Sequence, residues 1–275
     1  MNRVLLKKLW SFPLKKHCQT WPLLIVLTLF CFYACETAAP PAEEESTPTE
    51  STTEAPPAIN QLTEAEKAAG WTLLFDGQST DQWRSYNGEN FPSVGWMIDG
   101  EGNLSIGNVS GDMAGGDIIT KSQYENYEFQ LDFMVSDTGN SGIFYRVSEN
   151  EDQPIWFNAP EYQILDDSTY IAMGEVTDKQ LTAANYDLHV CSGGKALPAG
   201  SWNTARIVIN GQQVEHWLNG QQTVAYEIGS ADWNDRYKAS KFKDYPNYGQ
   251  TTKGHIGLQD HGRPIKFRNI KIRML

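Results

Sequence analysis

Tyr127-Glu128-Phe129-Gln130-Leu131-Asp132-Phe133-Met134-Val135 alternates aromatic and aliphatic side chains with Glu128, Gln130, Asp132 and Met134. Successive side chains of a strand point to opposite sides of a sheet, so this segment has one dry face and one wet face. Ile143, Tyr145 and Val147 alternate with Phe144 and Arg146 in the next run, and no helical stripe of comparable length follows Gly70. Asn210-Gly211 and Asn219-Gly220 are tight-hairpin signals, because both residue types accept the positive φ of a type I′ turn. They join three strands into a meander. A two-residue turn at Asn210-Gly211 sets Ile207 opposite Val214 and Arg206 opposite Glu215, cross-strand pairs worth roughly 0.2–1 kcal/mol each. The closing run Ile265 to Met274 alternates again, with a slip near Asn269 that reads as a bulge. Many strands with closely spaced turn signals make the folded region all-β, two packed antiparallel sheets forming a β-sandwich.

A second stretch, Gly254-His255-Ile256-Gly257-Leu258-Gln259-Asp260-His261-Gly262, shows how such a sandwich can carry chemistry. Ile256 and Leu258 share the parity that enters a core, while His255, Gln259 and His261 share the other and face a groove. Asp260 falls on the apolar parity, so regular pairing should end just before Gly262.

The first 34 residues contain Arg3, Lys7, Lys8, Lys15 and Lys16, no acid, and the apolar run Trp21 to Ala34. That run is too short to cross roughly 30 Å of hydrocarbon as a helix, so residues 1–34 read as a secretory signal peptide. Phe32-Tyr33-Ala34-Cys35 looks like a loose bacterial lipobox, which makes Cys35 the lipidation site and places the protein in the cell envelope, on a membrane through a lipid anchor, in the periplasm or at the cell surface. Residues 35–60 are rich in Glu, Thr, Ser, Ala and Pro and form a self-repelling tether. Thr63-Glu64-Ala65-Glu66 is a capping box that opens a short helix ended by Gly70. The folded domain spans 61–275. Of 22 basic residues, five lie in the signal, which leaves 17 against 34 acids. Such a charge excludes nucleic acid and anionic surfaces as partners and favours neutral solutes. Cys18 and Cys31 leave with the signal, so Cys191 stands alone as an unpaired thiol.

Common catalytic machinery is missing. The chain has no glycine-rich phosphate loop, no zinc-type histidine pair on a helix and no nucleophile elbow. Polar groups instead interrupt apolar strand sequences. A guanidinium cannot shed its charge, so Arg146 facing inward needs a carboxylate or a polar ligand. In Pro160-Glu161-Tyr162-Gln163-Ile164-Leu165-Asp166, Glu161 and Gln163 share one parity, which makes Glu161 the candidate base; Asp166 is a site candidate or the cap of the following turn. His216 shares parity with Val214 and Leu218, which favours a core histidine over a binding one. Trp217, on the opposite face, stacks on a sugar or covers the sheet. Lys121, after Ile118-Ile119-Thr120, is open between a binding and a surface role. His261 gains weight from Gly262 beside it and Gln259 on the same face.

Six segments together resemble one family: Trp71-Thr72-Leu73-Leu74-Phe75-Asp76-Gly77, Asn140 to Arg146, Pro160 to Asp166, Trp202-Asn203, His216 to Gly220, and Gly257 to Gly262. In this order they are similar to the signature segments of the 3-keto-disaccharide hydrolase domain family, across 71–275. The resemblance implies a concanavalin A-like jelly-roll β-sandwich of two antiparallel sheets, a sugar groove, and cleavage of glycosides already oxidised to a ketone at C3. It marks Arg146, Glu161, Asp166, Asn203, His216, Gln259 and His261 as site positions. A C3 ketone acidifies the C2 proton, so a base can remove it, the C1 substituent leaves by β-elimination, and water adds back. That route needs a base near C2 and an enolate stabiliser near the C3 oxygen, rather than two carboxylates flanking C1. Glu161 is then the base, with Asp166 in reserve, His261 the proton donor to the leaving oxygen, and Arg146 with His216 or Gln259 the oxyanion partners. A divalent cation held by Glu161, Asp166 or the histidines is the alternative means of polarising the ketone.

The rival reading is a non-catalytic carbohydrate-binding lipoprotein. Sandwiches host both functions, and a titratable group at the bottom of the groove separates them. An ordinary retaining endoglucanase calls for acids alternating closely along one strand, and no segment supplies them.

Overall fold

The apolar side of the Tyr127–Val135 strand is buried: Tyr127, Phe129, Leu131, Phe133 and Val135 all lie between two sheets. Burying such a side chain is worth about 1.5–3 kcal/mol, so this strand alone anchors much of the core. The computed structural model describes residues 58–107 and 115–275. The signal peptide, Cys35 and the tether up to residue 57 lie outside the described residues. Asn60 is already part of the folded body, with its side-chain amide donating to the Gly102 carbonyl at 2.8 Å.

In chain order the strands are β1 Thr72–Leu73, β2 Trp83–Ser85, β3 Trp96–Ile98, β4 Leu104–Ile106, β5 Ile118–Thr120, β6 Tyr127–Val135, β7 Asn140–Val147, β8 Glu161–Leu165, β9 Asn203–Asn210, β10 Gln213–Leu218, β11 Gln221–Glu227, β12 His255–Leu258 and β13 Ile265–Met274. One sheet runs β11-β10-β9-β6-β13-β4-β3, with β1 also on β13; the other runs β2-β5-β12-β7-β8. Every pairing is antiparallel. The result is an all-β jelly-roll sandwich. Among the described residues three short α-helices intervene: α1 Glu64–Ala68, α2 Asp167–Met173 and α3 Ala231–Ala239. The Thr63 capping box is present, and Cys191 is half-buried and has no disulfide partner among the described residues.

Register follows the sequence in part. The bulge in β13 falls between Arg268 and Lys271, with Asn269 at φ 54°. The Asn219-Gly220 turn takes positive φ at both residues and joins Leu218 to Gln221. The first hairpin differs from expectation: Asn210 pairs with Gln213, so the turn is Gly211-Gln212, and Arg206 lies opposite Trp217 rather than Glu215. The turn is held from outside, because the Gly211 N–H donates to Asn126 Oδ1 at 2.7 Å and its carbonyl accepts from Arg146. A shift of two residues preserves sidedness, so Ile207 and Val214 still face inward.

On the five-stranded sheet, Ile256 and Leu258 enter the main core. The outer face carries its own apolar cluster of Ile119, Phe144, Val147, Ile155 and Ala159. Gly257 lies under Ile155, where a Cβ would meet Cδ1 at 2.7 Å. This outer face, covered by the segments between strands, is where the site is built.

Candidate functional site

Glu161 and Gln163 leave β8 on the outer side of the five-stranded sheet, as their shared parity requires. With Gln259 and His261, from the chain just beyond β12, they line a cavity of about 260 Å³. Asn140 of β7 and Leu165 of β8 complete the floor. Trp156, Tyr170, Gln180, Tyr186 and Lys241 supply walls from the covering segments. The sequence therefore brought together Glu161, Gln259 and His261. His255 shares their face but donates from Nδ1 to the Thr120 carbonyl at 2.7 Å, away from the cavity.

Glu161 is buried, and loss of water pushes its carboxyl up to about 8; Lys241 opposes that rise and the charge of Asp117 adds to it. Its position depends on Gly142 in the neighbouring strand. A Cβ at 142 would lie 2.8 Å from both Cγ and Cδ of Glu161 and closer still to Oε1. The small residue in Asn140-Ser141-Gly142 is thus the bed of the carboxyl. Gln259 presents a buried Oε1 with no hydrogen-bond partner among the described residues, while its backbone N–H donates to the Gly142 carbonyl at 3.0 Å. Such an orphan acceptor suits a ligand hydroxyl.

The other candidates lie elsewhere, each for a local reason. Arg146 sits in a bulge where Tyr145 and Arg146 oppose Ile256 alone, at φ 56°. This conformation, rare for a bulky residue, sends the guanidinium to Gln212 Oε1 at 3.0 Å and to the Gly211 carbonyl, so it ties one sheet to the other. His216 is fully buried; Nδ1 donates to the Ala183 carbonyl at 3.0 Å and Nε2 meets the Tyr145 hydroxyl at 2.9 Å. Burial pushes its imidazole down to about 3, so it is a neutral core histidine. Asp166 caps α2, accepting from the Ser168 hydroxyl at 2.8 Å and from the Thr138 N–H at 3.0 Å. Burial raises its pKa, but these hydrogen bonds outweigh burial and leave it below the ordinary range.

Asn203 belongs to the other sheet and clamps a loop, accepting from the Leu197 N–H at 2.8 Å. Trp217 is on that sheet too, donating to Glu215 Oε2 at 2.7 Å under an Arg206 guanidinium 4.5 Å from its ring. Lys121 is exposed in the turn after β5, outside the cavity lining. For a cation, no group of three His, Cys, Asp or Glu side chains among the described residues could hold a metal ion, and Asp166 is spent on its cap.

Two residues near Glu161 were not anticipated. Lys241 follows α3 and its ammonium lies 4.3 Å from the Tyr186 ring centre and 5.0 Å from that of Trp156. Asp117, just before β5, shares parity with Ile119 of the outer cluster; its Oδ1 accepts from the Asp260 N–H at 2.9 Å. Burial, with Asp260 beside it, pushes Asp117 up to about 7. Its parity with Ile119 was a readable signal, whereas Lys241 lies in a segment without strand period.

The fold and cavity define a jelly-roll sandwich with a polar, carboxyl-bearing site on the outer face of one sheet. Within that class the chain belongs to the 3-keto-alpha-glucoside-1,2-lyase-like domain family, whose sequence model matches residues 70–273. It is 34% identical over 231 residues to a 3-keto-disaccharide hydrolase of Bacteroides thetaiotaomicron, covering 76% of this chain and 79% of that relative. A solved structure of a candidate glycosyl hydrolase from Parabacteroides distasonis shares 34% identity and a TM-score of 0.72, covering 79% of this chain and 100% of the other. A second candidate glycosyl hydrolase from the same organism shares 30% identity and a TM-score of 0.57, covering 74% and 99%.

Proposed function

We propose that the protein is a carbohydrate hydrolase whose substrates are glycosides or disaccharides carrying a ketone at C3. The observation that carries this reading is the buried Glu161 carboxyl, raised to about 8, in a cavity shared with Gln259 and His261. A binding module needs aromatic platforms and amides but no titratable group so placed. Family membership and the relative's name support the substrate class.

Glu161 in its ionised form removes the C2 proton, and its raised pKa makes it a stronger base than an exposed carboxylate. The C1 substituent departs as its oxygen takes a proton from His261. Water then adds across C1 and C2, giving net hydrolysis. Gln259, through its unpaired Oε1, and Gln163 hold sugar hydroxyls.

The test is a panel of paired substrates, each unmodified disaccharide beside its 3-keto form, with and without a chelator, followed in D₂O. Turnover of the keto member with deuterium entering at C2 is expected. Ready cleavage of the unmodified sugar without C2 exchange would defeat the elimination route. Tight sugar binding without turnover on any member would favour the non-catalytic binding reading.

The N-terminal sequence extends the proposal to location: a lipid on Cys35 holds the domain to a membrane of the cell envelope by an acidic tether. Fatty-acid labelling in the producing cell is expected to mark the wild type and not C35A. Equal labelling of both would rule the anchor out.

A further inference from the structure

We propose that Lys241 is a catalytic residue of this cavity, its ammonium receiving the negative charge that collects on the C3 oxygen as the C2 proton leaves. This rests on the 3-keto reading above and supplies the enolate partner which that chemistry requires.

A carbanion beside a ketone forms readily only as its enolate, so a cation or strong donor must stand at the oxygen. Arg146 is bound to the Gly211-Gln212 turn, and His216 is closed inside the core. Among the described residues that line the cavity with Glu161, Lys241 is the one lysine or arginine, His261 being the other nitrogen base. No ion pair among the described residues neutralises it. Its ammonium instead rests against ring faces, those of Tyr186, Trp156 and Phe242. Aromatic faces attract a cation without taking up its charge as a carboxylate would, so the N–H donors stay available to an oxyanion.

The position is also fixed. The Lys241 backbone N–H donates to Asp187 Oδ2 at 2.7 Å, and the next residue, Phe242, stacks on Tyr248 with ring centres 4.1 Å apart. Electrostatics agree with the geometry: burial lowers the Lys241 pKa while Glu161 and Asp187 raise it, and Lys241 in turn lowers that of Glu161. A base and a cation therefore share one cavity without forming a closed salt bridge. Proton abstraction at one carbon and charge collection on the adjacent carbonyl oxygen need that pairing.

The electrons balance without a redox partner. Glu161 takes the C2 proton; the C–H pair becomes the C2=C3 bond, and the carbonyl π pair moves onto O3 beside Lys241. As the enolate collapses, C1=C2 forms and the C1–O bond breaks. Its pair leaves on the oxygen, which takes the His261 proton. Water later returns a hydrogen to C2 and a hydroxyl to C1.

K241M, K241Q and K241R in the whole protein test this with a 3-keto disaccharide that the wild type cleaves. K241M is expected to lose about 10²–10³ in kcat with KM changed only a few-fold, and C2 exchange should fall in parallel. K241R should retain more than either neutral variant. Wild-type rates of C2 exchange and cleavage in K241M, or in K241Q if K241M melts early, would overturn the proposal while leaving the 3-keto reading intact. A wild type without C2 exchange on any keto substrate would overturn both. Exchange preserved while cleavage alone falls would also overturn it, since a lysine that only orders the aromatic wall or the leaving group would act after the enolate forms.

Discussion

E161Q is expected to lose about 10²–10⁴ of turnover on a 3-keto glycoside, the usual range for removing a positioned general base. The amide keeps the size of the carboxyl and cannot accept the C2 proton. Two pH signatures separate this from general damage. Burial pushes Glu161 up to about 8, and the base must be ionised, so wild-type kcat/KM should rise through an acid limb near that value. Stability moves the opposite way. A carboxyl whose folded pKa lies above its unfolded value favours the folded state fully at low pH, and that contribution is lost as pH rises through the folded pKa. The melting temperature of E161Q relative to wild type should therefore climb between pH 5 and 9. Near wild-type turnover in E161Q, or a melting difference independent of pH, would remove Glu161 from the role.

The parts of this site that the sequence disclosed are those set by strand parity alone. Glu161 and Gln163 had to leave one side of β8, and Gln259 and His261 one side of the segment through β12, whatever the rest of the chain did. Buried Ile256 and Leu258 enforce that choice, because a slip of one residue would expose them. Parity failed at Arg146, where the bulge lets a single residue at φ 56° turn its side chain across to the other sheet. No alternation count contains that bulge, since it arises from pairing with β12, more than a hundred residues away. His216 shows the converse: its parity with Val214 pointed to the core, and the resemblance to a family motif pulled the other way. Its burial between Tyr145 and the Ala183 carbonyl sides with the parity.

Lys241 was hidden for a different reason. It follows α3 in a covering segment whose path over the sheet depends on tertiary contacts such as Phe242 on Tyr248 and Trp233 on Tyr226. Local sequence records the aromatic richness there but not the wall to which it belongs. The register of the β9–β10 hairpin was lost in the same way: Asn210-Gly211 signals a turn correctly, and distant Asn126 and Arg146 decide which residues occupy it.

G142A should cost about 10² in kcat while leaving the fold intact, because a misplacement near 1 Å at a reacting group carries that penalty. The added methyl would fall on the end of Glu161, within 2.8 Å of Cγ and Cδ. The end of a flexible side chain can give way, so the strand need not open, and alanine in a strand costs less backbone entropy than glycine. Melting should therefore stay near wild type or rise slightly. The displaced carboxylate, however, no longer meets the C2 proton. Shortening the base should relieve the clash, so E161D is predicted to harm the wild type more than it harms G142A. The double variant would then exceed the activity expected from multiplying the two single losses, the coupling that residues in direct contact show. Near wild-type turnover in G142A would mean that the carboxyl has room to move without penalty. Strictly multiplicative losses would place the effect of the methyl somewhere other than Glu161.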